Sequence, residues 1–171
     1  MWPLLQLFID IAFHRRGPED VPSVPVLLWL VLGTATLVQL LSLLALNYAA
    51  GRAVIETVLH LSLTLGAYVL LLKARGLAAR VPQTLIALLG TATLLGVLML
   101  PVVTWMYAGM QVNQVPPLAT LAFFVLLIWS IDISGFVLSR ALGAHYVIGV
   151  LLALGVIAVD TTLRRAILPA L

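Results

Sequence analysis

Ionisable side chains are scarce in this sequence, and four of them fall inside strongly apolar stretches: Glu56, His60, Asp132 and Asp160. A charge at the centre of a membrane helix costs on the order of 2.5–3.5 kcal/mol by insertion scales, so each needs a partner or a task. Arg52, Glu56, His60, Thr64 and Ala67 follow at steps of four, four, four and three, which sets them along one helical face. One reading is a proton or ion relay, since histidine is the side chain that exchanges protons near neutrality and Glu56 stands one turn away. The plainer reading, which we favour, is a hydrogen-bonded Arg52–Glu56–His60 strip that orients the helix.

Asp132 is the deepest carboxylate, about 10 Å from the nearer end of its apolar run by helical rise. Trp129, Gly135 and Ser139 share its side of a helix, whereas Ser130 and Ser134 lie opposite. An acid on a small and polar face is expected to meet a neighbouring helix, as a protonated carboxyl hydrogen-bonded across a bundle. A transport role would need a basic or metal partner at that depth, and Arg140 and His145 are the nearest candidates. Asp160 precedes Arg164 by four residues, the spacing of an interfacial ion pair. Gly149 and Ala153 continue that face as a close-packing stripe for another span or a second copy of the chain. Asp160 is then expected to meet Arg52 or Glu56. Pro101 interrupts a further apolar run, freeing the carbonyl of Val97 and marking a static kink or a flexing gate, of which the kink is the simpler.

The absent motifs narrow the chemistry. There is no Walker-type glycine loop, no HExxH and no GxSxG. Three histidines without paired ligand spacing give no metal site, and with no cysteine there is no disulfide, thiolate or iron–sulfur chemistry. No cofactor is expected and no catalytic residue is assigned.

These groups sit in a chain of 171 residues that is 63% hydrophobic and 9% charged, with a mean hydropathy of +1.20. A soluble globule needs roughly 25% charged residues, so disorder, nucleic-acid binding and an ordinary soluble enzyme are excluded. The elements that must position the polar groups are five apolar runs at 26–46, 53–72, 84–105, 118–138 and 146–163, each close to the roughly 20 residues that span hydrocarbon as a helix. They lack the two-residue alternation of barrel strands. The expected fold is therefore all-α: a polytopic transmembrane bundle over 26–171. A separate unit at 1–25 carries a short amphipathic helix with Gln6, Asp10 and His14 as its polar stripe, the pattern of a helix lying in the membrane interface. Arg15, Arg16 and the prolines after them end that helix. A signal peptide fits poorly, because the charges follow the apolar stretch.

With five spans, Arg15, Arg16, Lys73, Arg75, Arg80 and Arg140 share one side, and Arg52, Arg164 and Arg165 the other. Six against three implies a cytoplasmic N-terminus and an exoplasmic C-terminus, which is periplasmic in the expected setting of a bacterial inner membrane.

The segments ALLGTATLLGVLMLP (87–101) and LLIWSIDISGFVLSRALGAHYVIGVLLAL (126–154) combine a glycine-containing span closing on proline with a Trp-bearing span. A short Arg-Ala-Leu-Gly connection then leads into an Ala/Leu/Gly span. In these features, over about half its length, the chain resembles the Yip family of small five-span membrane proteins, the Ypt-interacting proteins and their bacterial relatives. RRGPEDVP (15–22) is similar to a segment before the first span in some bacterial members. The resemblance implies a cytoplasmic N-terminus and a non-catalytic accessory role. The long hydrophilic N-terminal region of eukaryotic members is lacking, and Thr91 stands after Gly90 where an aromatic is common, so binding to small GTPases is not implied. The expected function is thus an accessory protein in contact with the bilayer that binds other membrane proteins, or a second copy of itself, or organises lipid. The alternative is a small proton- or ion-coupled transporter or channel using Glu56, His60, Asp132 and Asp160.

Overall fold

The computed structural model describes residues 2–168. Met1 and 169–171, the tail of the 26–171 region, lie outside the described residues. The chain is helical throughout: α1 Trp2–Ala12, α2 Pro25–Ala45, α3 Ala50–Ala74, α4 Val81–Gln111, α5 Pro117–Leu142 and α6 Tyr146–Ile167, with short 3-10 turns at Pro18–Asp20 and Ala78–Arg80. Five of these helices are long and apolar enough to cross a membrane. Large apolar side chains lie exposed along them, Trp29 and Leu70 each at 70%. Such a continuous apolar surface needs lipid as its solvent, and the chain is a multi-pass membrane protein.

Helix boundaries are set by backbone chemistry. Pro25 and Pro117 open α2 and α5, and Pro82 lies in the first turn of α4, where a missing N–H costs nothing. All the described residues with positive φ are helix stops: His14, Asn47, Gly76, Asn113 and Gly143. At each, the next residue's N–H bonds back to a carbonyl five residues earlier, as in Arg15 to Asp10 and Ala144 to Ser139. This Schellman closure satisfies the last carbonyls of a helix before the chain reverses. At His14 the closure ends the helix early. His14 is thus not a member of the helical polar stripe with Gln6 and Asp10, as its spacing predicts, but the reversal residue that follows it.

The core is built around α4, which packs against α1, α2, α3 and α5. From Thr84 to Thr91 every residue of α4 is buried, because α1 and the Pro18–Asp20 turn cover the side left open by the long helices. Leu7, Phe8, Ile11 and Ala12 form the buried face of α1. Phe8 occupies the space above Gly90, where any side chain would meet its ring. The hydroxyls within the spans mostly bond to their own helix: Thr34, Thr36, Ser42, Thr84, Thr91, Thr93, Thr104, Thr120 and Thr162 each donate to a carbonyl one turn back. They satisfy themselves and leave little for chemistry. Helix α4 continues through Pro101 to Gln111, with Thr104 bonded to the carbonyls of Leu100 and Pro101.

Candidate functional site

The polar groups collect in two clusters, one at each end of the bundle. At the end that holds the α2–α3 connection and the close of α6, the face of α3 carrying Arg52, Glu56, His60 and Thr64 meets Asp160 and Arg164 of α6. His60 Nδ1 lies 3.0 Å from Asp160 Oδ2. Arg164 donates to the same oxygen through Nε at 3.0 Å and a terminal nitrogen at 2.9 Å, and reaches Glu56 Oε2 at 3.4 Å. Arg52 Nε is 3.9 Å from Glu56 Oε1, and its guanidinium stands over the Tyr48 ring at 5.8 Å. Thr64 Oγ1 is 3.5 Å from His60 Nδ1.

Asp160 is the centre of this cluster, only 4% exposed. Burial makes an ionised carboxylate costly unless it is paired. Here Oδ2 takes every donor, while Oδ1 is buried with no hydrogen-bond partner among the described residues. The Thr57 hydroxyl, at 2% exposure, is likewise buried without a partner among them.

The i,i+4 pair of Asp160 with Arg164 forms as its spacing suggests, but the group Asp160 meets on α3 is His60, not Arg52 or Glu56, and Glu56 is joined to Asp160 through Arg164. Charge and depth account for the difference together: Glu56, about 9 Å along α3, is level with Asp160 but is a second carboxylate and shares Arg164 with it, and Arg52 lies a turn further out. Asp160 lies about 10 Å from the end of α6, and His60 about 15 Å from the start of the antiparallel α3, whereas Arg52 sits within the first turn.

The second cluster lies at the other end, around Asp132. His14 Nε2 is 3.0 Å from Asp132 Oδ2, and the Tyr146 hydroxyl donates to Oδ1. The His14 ring stacks on Phe136 with centroids 4.1 Å apart and planes 14° from parallel. Trp129 Nε1 donates to the carbonyl of Ala12 at 3.1 Å, and its ring packs on Phe13 at 5.3 Å. Asp132 thus fastens the end of α1 to α5 and α6. Its basic partner is His14, not Arg140 or His145: Arg140 pairs with Glu19, and the His145 side chain caps α6 at the Val147 N–H. The sequence hides this pair because the Schellman reversal, not helical periodicity, aims His14. Tyr146 opens the apolar run 146–163 with no signal of a polar role, and its nearness to Asp132 follows from the tight turn at Gly143.

The small-residue face of α6 is used inside the chain. An added Cβ at Gly149 would collide with the Gly135 carbonyl oxygen, and one at Gly135 would lie 2.8 Å from Val150 Cα. Ala153 is fully buried. Of the two occupants expected for the Gly149 and Ala153 stripe, another span or a second copy, the structure places a span there: the stripe is the α5–α6 seam, and Gly135 is its counterpart. No group of three or more acidic, histidine or cysteine side chains able to hold a metal ion exists among the described residues.

No family model matches the chain, and neither a curated protein nor a solved structure matches it.

Proposed function

We propose that this protein is a non-catalytic accessory component of its membrane, an ion-tight five-helix bundle that binds another membrane protein, as the resemblance to the Yip family implies. The observation that carries this reading is the separation of the two clusters. Helices α2 and α4 contain no acidic, basic or histidine side chain, and among the described residues the bundle interior between His60 and Asp132 offers only Tyr68 as an ionisable group. A proton or ion crossing such a structure would have to traverse apolar packing, at a cost comparable to burying a bare charge. Each cluster instead joins distant parts of the chain, α3 to α6 and α1 to α5, which is the work of a clasp. The excess of basic residues at the end holding the N-terminus supports a cytoplasmic N-terminus, with a bacterial inner membrane as the proposed setting.

A second reading, a proton-coupled carrier, has one observation in its favour: the unpartnered Oδ1 of Asp160 beside a histidine. One experiment separates the two. Purified protein in liposomes with an entrapped pH dye is given a potassium–valinomycin potential. Proton entry equal to that of protein-free vesicles is expected. Flux through the wild type that disappears in Asp160→Asn or Glu56→Gln would replace the accessory reading with the carrier. A photo-cross-linker at lipid-facing Leu151 of α6, 62% exposed, is expected to capture one dominant membrane-protein partner.

A further inference from the structure

Beside the Pro18–Asp20 turn, at the end of the bundle that gathers Arg15, Arg16, Lys73, Arg75, Arg80 and Arg140, an open cleft of 480 Å³ runs between the start of α4 and the close of α5. Its volume falls in the roughly 300–1,000 Å³ range of sites for small molecules. Two guanidinium groups line it, from Arg80 and Arg140, together with the Gln83 amide. Arg80 spends one donor on the carbonyl of Ala141 at 2.8 Å, which fixes the side chain and neutralises the exposed carbonyl end of α5. Four of its five N–H donors remain. The hydroxyls of Thr84 and Ser139 in the wall already donate to the carbonyls of Arg80 and Phe136, so they complete the wall and add no donor to the cleft.

The chain itself marks where an anion belongs. Glu19, which also lines the cleft, places its carboxylate on Arg140. Both partners are about half exposed, so this is a surface pair that a better anion can displace. The turn that presents Glu19 is held by Gly17 N–H donating to Asp20 at 2.9 Å, an arrangement that does not depend on Glu19.

We infer that this cleft is a phosphate-binding site, and that the phosphate is presented by an anionic phospholipid headgroup. Arginine pairs offer the planar, bidentate donor geometry that phosphate oxygens match better than a single carboxylate does. Depth selects the lipid: Arg80 immediately precedes α4 and Arg140 stands in the last turn of α5, the level at which a span leaves hydrocarbon and meets headgroups. The surrounding basic residues concentrate anionic lipid there. Free phosphate shares the recognition chemistry. The site goes beyond the accessory reading and does not rest on it, because a headgroup would bind in the cleft whether or not the bundle conducts.

Native mass spectrometry of the full chain, released from detergent with phosphatidylglycerol or phosphatidylcholine added, tests the inference. Phosphatidylglycerol is expected to bind in preference to phosphatidylcholine. The Arg80→Gln/Arg140→Gln double variant should lose that preference by about tenfold or more, and Glu19→Gln should strengthen it by freeing Arg140. Arg165→Gln, at the opposite end, serves as the charge control and should leave it unchanged. Far-UV circular dichroism establishes that each variant is folded, and Arg80→Lys/Arg140→Lys, which keeps the charge, should retain part of the preference. Equal retention of the two lipids by the wild type, an unaffected double variant, or an equal loss in Arg165→Gln would overturn the site. Millimolar inorganic phosphate that displaces the lipid in an Arg80- and Arg140-dependent way would assign the same chemistry to free phosphate; no displacement assigns it to the lipid.

Discussion

Replacing Gly149 by alanine tests the architecture most directly, because the added atom has no soft neighbour to push aside. At Gly149 a Cβ would stand 2.8 Å from both the Cβ and the backbone N of Ser139, and closer still to the Gly135 carbonyl oxygen. Comfortable carbon contacts begin near 3.5 Å, so α5 and α6 must separate by about 1 Å along this seam. Backbone cannot rotate away as a side chain does, which puts the cost at the upper end of the roughly 1–3 kcal/mol range for overpacking. Alanine returns a few tenths to about 1 kcal/mol through its better helix propensity. The net expectation is a loss of about 2 kcal/mol, close to a thirtyfold shift of the unfolding equilibrium. Gly155→Ala on the same helix is the internal control: nothing lies within 4 Å of its added Cβ, so it should show only the propensity gain, a stabilisation of a few tenths to about 1 kcal/mol. Both are measured by titrating the protein in mixed micelles with sodium dodecyl sulfate while following helicity by circular dichroism. If the two variants agree within about 0.5 kcal/mol, α5 and α6 do not meet at Gly149 and the seam described here is wrong.

Asp160→Ala should cost about 2–3 kcal/mol in the same titration, since it leaves His60 and the Arg164 guanidinium without their shared acceptor. Combined with His60→Ala, the loss should fall short of the sum by at least about 0.5 kcal/mol; strict additivity would mean the two side chains do not interact. The chain has no cysteine, so Ile11→Cys, at a fully buried position on α1, provides a clean reporter of docking. A water-soluble maleimide should leave it unlabelled until Phe8→Ala removes the ring seated over Gly90, after which labelling should rise at least about tenfold. Pro101→Ala should change stability by less than about 1 kcal/mol, because α4 already continues through this position and Pro101 itself is exposed. A larger change would point to a working hinge.

The spans were legible because hydrocarbon imposes one requirement on every residue in turn, and a run of apolar side chains records it. The runs and the helices differ at their ends for a related reason. Helix α4 extends from Val81 to Gln111, well beyond the apolar run 84–105, since backbone hydrogen bonding continues into the interface after hydropathy has stopped. The face of α3 carrying Glu56 and His60 was legible from the four-residue period alone. Which residue each acid would meet was not. Periodicity gives direction around one axis, whereas the pairing of His60 with Asp160 depends on the relative depth of two helices. The pairing of His14 with Asp132 depends on a reversal in the left-handed region, at φ 58°, that only the backbone reveals. The stripe of Gly149 and Ala153 announced close packing correctly, but small residues do not say whether the approaching backbone belongs to the same chain.

The docking of α1 sets an order on biosynthesis. The carbonyl of Ala12 is bonded to an indole 117 residues further along the chain. At roughly 5–20 residues per second, α1 is made about ten seconds before its α5 partner exists. Through that interval its apolar face, Leu7, Phe8 and Ile11, has neither α4 nor α5 to cover it. An apolar face of this kind can rest on the membrane surface during that interval, and the seat over Gly90 is where it docks. Helix α1, made before the spans it packs on, is thereby locked in place only after α4 and α5 have assembled.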